Sequence, residues 1–280
     1  MILLIILTAL VPFALGTLLA GVAGFPIRWP VFLGGAVGLA ALILAAALSR
    51  IAFAPEAGRW PQWESLAPRT AHRLALASLA LAALLGVILQ LSSRTGDLTI
   101  PLGGLGILGG YFYFAPPCQW YRRVWGEVVG GLGFGLLPVV TGLYLQTGHL
   151  LTETLLYGLP LTFAGYNLFL IHDFPNPQED APPRSSGLAA RVRPVAAALT
   201  YTLVNLLTIL GLGFGIFFPA APLPSRLGLW ALIILAVFNQ ELIKRRAYYQ
   251  EANLRWLCRL TLLLHLGMGL VFGLNLWWRW

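Results

Sequence analysis

Two short stretches hold most of the residue types that could do chemistry. The first runs from Gly110 to Glu127 and contains Tyr113, Pro116, Pro117, Arg122, Arg123 and Glu127. Two adjacent prolines stop a helix. Glu127 then falls in the first turn of the next one, where the helix dipole favours an anion. Paired arginines and helix N-termini both suit phosphate. The same residues also read as ordinary basic flanking of a membrane span. The second stretch runs from Asn167 to Asp180. Asp173, Asn176, Glu179 and Asp180 place hard oxygen ligands within eight residues. Mg²⁺ takes one or two carboxylates and leaves its other positions to water and substrate phosphates. A solvated turn rich in Asp, Asn and Pro explains the same composition.

The elements that position these stretches follow from composition. Of 280 residues, 58% are hydrophobic and 10% charged, and the mean hydropathy is +0.79. Soluble domains average about 25% charged residues, so a water-soluble enzyme is excluded and the bilayer must solvate most of the chain. Helices of about 20 residues satisfy their own backbone there. The apolar runs predict nine spans: 2–24, 30–54, 71–93, 98–116, 126–147, 150–172, 194–220, 226–243 and 256–278. The first carries no charge and no distinct cleavage site. Its Pro12 and Gly16 fit a kinked permanent span better than a signal peptide. Cys118 and Cys258 are the only cysteines and give neither a disulfide framework nor a metal spacing.

Charge sets the expected orientation. Fourteen of the 18 basic residues fall in alternate connectors, and only Arg28, Arg94, Arg226 and Arg279 fall on the other side. By the positive-inside rule the N-terminus is cytoplasmic and the C-terminus outside, in a membrane of the bacterial inner-membrane type. The net charge of +8 is thus topology, and no nucleic-acid partner is expected. Trp277, Trp278 and Trp280 read as an interfacial anchor. Asn167, Asn205, Asn239, His265 and Asn275 are the deeper polar groups, and they suit interhelical hydrogen bonding better than ion transport.

Order and spacing of these motifs resemble the UbiA superfamily of intramembrane prenyltransferases, in its MenA-like branch. Tyr113, Pro116, Pro117, Gly126 and Glu127 match a Tyr-x-x-Pro-Pro…Gly-Glu stretch. Phe134-Gly135 and the run from Gly142 to Gly148 match a Phe-Gly…Gly-x-Tyr-x-Gln-Thr-Gly pattern. His172, Asp173, Phe174, Pro175, Asn176 and Asp180 answer Asn-Glu-Phe-Pro-Asp-x-x-x-Asp. Pro12 and Gly16 match a Pro-x-x-x-Gly in helix one.

The resemblance implies one domain over residues 1–280. It would be an all-α integral membrane bundle of nine transmembrane helices around a lipid-accessible cavity. It implies transfer of a polyprenyl group from its diphosphate to an aromatic acceptor, with Mg²⁺ neutralising the diphosphate. On this reading Arg50, Arg122, Arg123 and Glu127 bind the diphosphate, and Asp173, Asn176 and Asp180 hold a metal ion. The first aspartate motif of the family departs here: Ile51 and Ala54 stand where its aspartates belong. One Mg²⁺ site at most is therefore expected, and no catalytic residue is singled out. Two functions follow: a prenyltransferase of low metal content, or a catalytically silent subunit binding lipid, quinone or pigment among other membrane proteins.

Overall fold

The computed structural model describes residues 2–54, 66–174, 187–216 and 222–280. Among them the regular elements are all helical. The helices are α1 (Ile2–Val22), α2 (Trp29–Phe53), α3 (Pro68–Leu91), α4 (Thr99–Gly109), α5 (Tyr111–Phe114), α6 (Gly126–Phe134), α7 (Leu136–Thr147), α8 (Glu153–His172), α9 (Leu188–Arg191), α10 (Pro194–Ile216), α11 (Leu223–Lys244) and α12 (Glu251–Arg279). Among the described residues eight segments are long and apolar enough to cross a membrane, counting α6 and α7 as one. The protein is an integral membrane protein. A 20-residue helix such as α8 spans about 30 Å, the thickness of the hydrocarbon core.

The expected span at 98–116 is instead two short helices, α4 and α5, divided at Gly110. The 11 residues of α4 reach only about 16 Å. The expected span at 126–147 is likewise broken, at Gly135 between α6 and α7. That break is satisfied internally: the backbone N–H of Leu136 donates to Thr162 Oγ1 of α8 at 2.9 Å. Irregular backbone is tolerated at membrane depth only when its polar groups are paired in this way.

Helices α1, α7, α8 and α12 pack at the centre, and Leu15, Val139, Leu143, Leu161, Leu264 and Met268 form much of that core. Small residues allow the close approach. A Cβ at Gly16 would overlap the carbonyl of Val139, and one at Gly142 would overlap that of Phe13. Deep polar groups stitch the helices as expected. His265 Nε2 pairs with the Thr8 carbonyl at 3.1 Å, and Asn205 Nδ2 donates to the Ala236 carbonyl at 2.9 Å. Asn167 Nδ2 donates to the Tyr201 carbonyl at 3.2 Å.

Each end of the bundle is closed by its own contacts. At one end Arg28 donates to the Ser93 and Leu145 carbonyls at 2.9 and 2.6 Å, and its backbone N–H donates to Gln146 Oε1. A cation at the C-terminal ends of α3 and α7 suits both helix dipoles. At the other end the connector before α6 meets the segment after α8. There Arg191 Nη2 donates to the Arg122 carbonyl at 2.7 Å.

Candidate functional site

The site is an apolar chamber in two joined lobes between α1, α2, α4 and α6, with α3 and α7 lining the lower lobe and α5 and α8 the upper. The upper lobe is walled by Ile43, Arg50, Tyr113, Phe134 and Phe169 among others, and the lower by Leu39, Leu89, Gly103 and Leu145 among others. Ile43, Ala46, Gly109, Gly110, Gly133 and Phe134 line both. The two lobes leave about 80 and 130 Å³ of space open to water-sized molecules, and each is partly open to its surroundings. Along α2 the walls run from Gly34 to Ile51, which is about 26 Å of helix.

Arg50 is the only charged residue among the described walls, and it sits at the top of the upper lobe. It is 5% exposed. Its planar fork matches phosphate oxygens. Ser49 beside it donates to the Tyr111 carbonyl at 3.1 Å, which fixes the end of α2 against α5. Beneath Arg50 the rings of Tyr113 and Phe134 each lie 5.4 Å from that of Phe169.

Glu127 and Asp173 meet next to this wall. Glu127 is fully buried, and its Oε1 accepts the Leu188 N–H at 2.8 Å. A Cβ added at Gly187 would lie 2.9 Å from both Glu127 Oε1 and Asp173 Oδ2. The two carboxylate oxygens therefore lie within about 6 Å of each other. Both carboxylates also act electrostatically on the Tyr113 hydroxyl. Among the described residues Glu127 Oε2 is buried without a hydrogen-bond partner. No three acidic, histidine or cysteine side chains gather among the described residues.

Arg122 and Arg123 are placed differently from the expectation that they bind diphosphate. Both are exposed on the connector, and neither lines the chamber. Arg122 Nε donates to the Tyr121 hydroxyl at 2.6 Å, and Arg123 Nε donates to the Cys118 carbonyl at 2.8 Å. Asn176 and Asp180, expected at a metal, lie outside the described residues, as do Arg59 and Glu56. Tyr113 was legible in its motif but not nominated. Phe134 belongs to the Phe-Gly motif, whereas Gly187 and Phe169 carried no signal, because their importance rests on contacts between distant segments.

The model for the UbiA prenyltransferase family matches residues 64–264. The chain belongs to the UbiA prenyltransferase family. A curated relative, the 1,4-dihydroxy-2-naphthoate octaprenyltransferase of Bacillus subtilis (strain 168), is 30% identical over 113 residues, or 40% of this chain. The match spans 36% of that relative's length. Among solved structures, the apo UbiA homologue from Aeropyrum pernix K1 shares the fold with a TM-score of 0.69, 15% identity and 96% coverage of each chain. A UbiA homologue from Archaeoglobus fulgidus, bound to GPP and Mg²⁺, has a TM-score of 0.59 at 14% identity, again covering 96% of each chain.

The end of α2 brings two apolar side chains to this region. Ile51 lines the upper lobe, and Ala54 is fully buried against Tyr113, Phe114 and Tyr121. Neither side chain carries a ligand atom.

Proposed function

We propose that the protein binds a polyprenyl diphosphate with its head at Arg50 and its tail in the chamber, and transfers the prenyl group to an aromatic acceptor. The observation that supports this most is a single buried guanidinium at the head of an otherwise apolar cavity. An ionic head and a long hydrocarbon tail complement that arrangement, whereas a small polar metabolite would leave the walls unpaired. Family membership and the 1,4-dihydroxy-2-naphthoate octaprenyltransferase relative point the same way.

The residues present fit one Mg²⁺. Asp173 and the buried Oε2 of Glu127 supply up to two carboxylates, which suffices when substrate phosphates complete the shell. A bound Mg²⁺ would neutralise charge on the departing diphosphate. Arg50 contributes to the same task through fixed hydrogen bonds. The rings of Tyr113, Phe134 and Phe169 line the chamber, and aromatic rings favour a positively charged carbon. On this reading the positively flanked face, with the Arg122 connector, is cytoplasmic. The N-terminus is then inside and the C-terminus outside.

One observation favours a second reading. Ile51 and Ala54, which the family resemblance sets at the first aspartate positions, carry no ligand atom, so a catalytically silent subunit that binds lipid, quinone or pigment also fits the chamber. The test is to reconstitute the purified protein with geranylgeranyl diphosphate, Mg²⁺ and an aromatic acid. Prenylated acceptor and released pyrophosphate are the expected products. Diphosphate binding without product would favour the silent subunit. No binding of either diphosphate or prenyl lipid would remove both readings.

A further inference from the structure

The lower lobe is kept open by glycines that helix packing does not require. Gly86 of α3, Gly103 of α4 and Gly133 of α6 all line it, and a Cβ at any of them would meet nothing within 4 Å. Other glycines of the wall differ. A Cβ at Gly35 would press on Phe13 and Leu145, and one at Gly106 would come within 2.9 Å of Leu42. Those two serve close packing. Glycine inside a helix is otherwise unfavourable relative to alanine. At Gly86, Gly103 and Gly133 the chamber wall carries no side chain, and a Cβ there would have open space around it.

Their depths differ. Gly133 lies where the two lobes join. Gly103 lies seven residues before Gly110, which also lines both lobes, and so sits about 10 Å further down. The floor beyond is made by Leu89 and Leu145, next to the Arg28 bridge to the Ser93 and Leu145 carbonyls. We propose that Gly133, Gly103 and Gly86 act as a length gauge, setting how much of an isoprenoid tail the chamber takes up. The proposal deepens, and rests on, the reading of the chamber as a prenyl site.

Prenyl alcohols of graded length test it without the diphosphate. Geraniol, farnesol and geranylgeraniol are titrated against the protein in nanodiscs, with bound ligand read by native mass spectrometry. Each methylene that is buried raises affinity about fourfold, so affinity in the unaltered protein rises along the series. In Gly103→Leu the gain from farnesol to geranylgeraniol is lost. In Gly133→Leu the gain is lost one step earlier, from geraniol to farnesol. Gly104→Leu is the matched control. Its Cβ also meets nothing within 4 Å, but Gly104 is not part of the chamber wall, and the profile stays as in the unaltered protein.

A profile unchanged in Gly103→Leu overturns the proposal. So does an equal loss at every length, and so does an unaltered protein that binds no prenol. Turnover of geranylgeranyl diphosphate is measured in parallel. A shifted prenol profile without turnover keeps the gauge and removes the transferase. Turnover with an unshifted profile does the reverse.

Discussion

Glu127 and Leu188, 61 positions apart, are joined by a 2.8 Å hydrogen bond from the Leu188 N–H to Glu127 Oε1. The bond ties the start of α6 to α9 and so holds the two motif-bearing connectors together. Glu127 is fully buried.

Replacing Glu127 with Ala leaves the Leu188 N–H without its acceptor. The lost hydrogen bond to a charged group costs up to about 1.5–3 kcal/mol, less where water reaches the half-buried Leu188 N–H. The expected result is a lower melting temperature in detergent and faster proteolytic cleavage near residues 187–193. Glu127→Gln retains an acceptor oxygen and should lose less than half as much. Equal stability of Glu127→Ala and the unaltered protein would show that the bond does not hold the connector.

Gly187 has no room for a side chain between Glu127 Oε1 and Asp173 Oδ2. Gly187→Ala must push one carboxylate aside, and overpacking of this kind costs about 1–3 kcal/mol. Diphosphate affinity and its Mg²⁺ dependence should both fall. Titration of geranyl diphosphate with and without Mg²⁺ measures this. Unaltered affinity in both conditions would place the carboxylate pair outside the binding site.

Arg50→Ala should weaken geranyl diphosphate binding by a factor of about 10 or more, since a charge-assisted hydrogen bond contributes about 1.5–3 kcal/mol. Arg50→Lys keeps the charge but loses the planar fork, so it should recover only part of the loss. Binding of the uncharged geraniol should stay within about twofold in both variants. A parallel drop in geraniol affinity would mean that the chamber itself had collapsed.

Topology offers a separate check, since charge counting alone predicts the side of each connector. Cys118 is partly exposed on the basic face, whereas Cys258 is buried. A membrane-impermeant maleimide should label Cys118 only after the membrane is permeabilised. Labelling of Cys118 in intact cells would invert the proposed orientation.

The sequence by itself determined that this chain lives in a bilayer. The uncharged apolar runs decided it, because each is long enough to pair its own backbone and too poor in polar groups to face water. The order of Tyr113, Pro116-Pro117, Glu127 and Asp173 along the chain was also enough to indicate the family. Residues 98–116 show the limit of such reading. Hydropathy registers apolar length and is blind to a helix that stops at Gly110 and restarts.

Tertiary structure alone decided which arginine faces the chamber. Arg50, Arg122 and Arg123 look alike in a charge count. The packing of α2 against α5 buries Arg50 in the upper lobe, whereas the turn before α6 leaves Arg122 and Arg123 outside. The pairing of Glu127 with Leu188, and the void in front of Gly103, likewise depend on distances between distant segments. A local pattern fixes what one helix can be. The space left between helices follows only from how their surfaces meet.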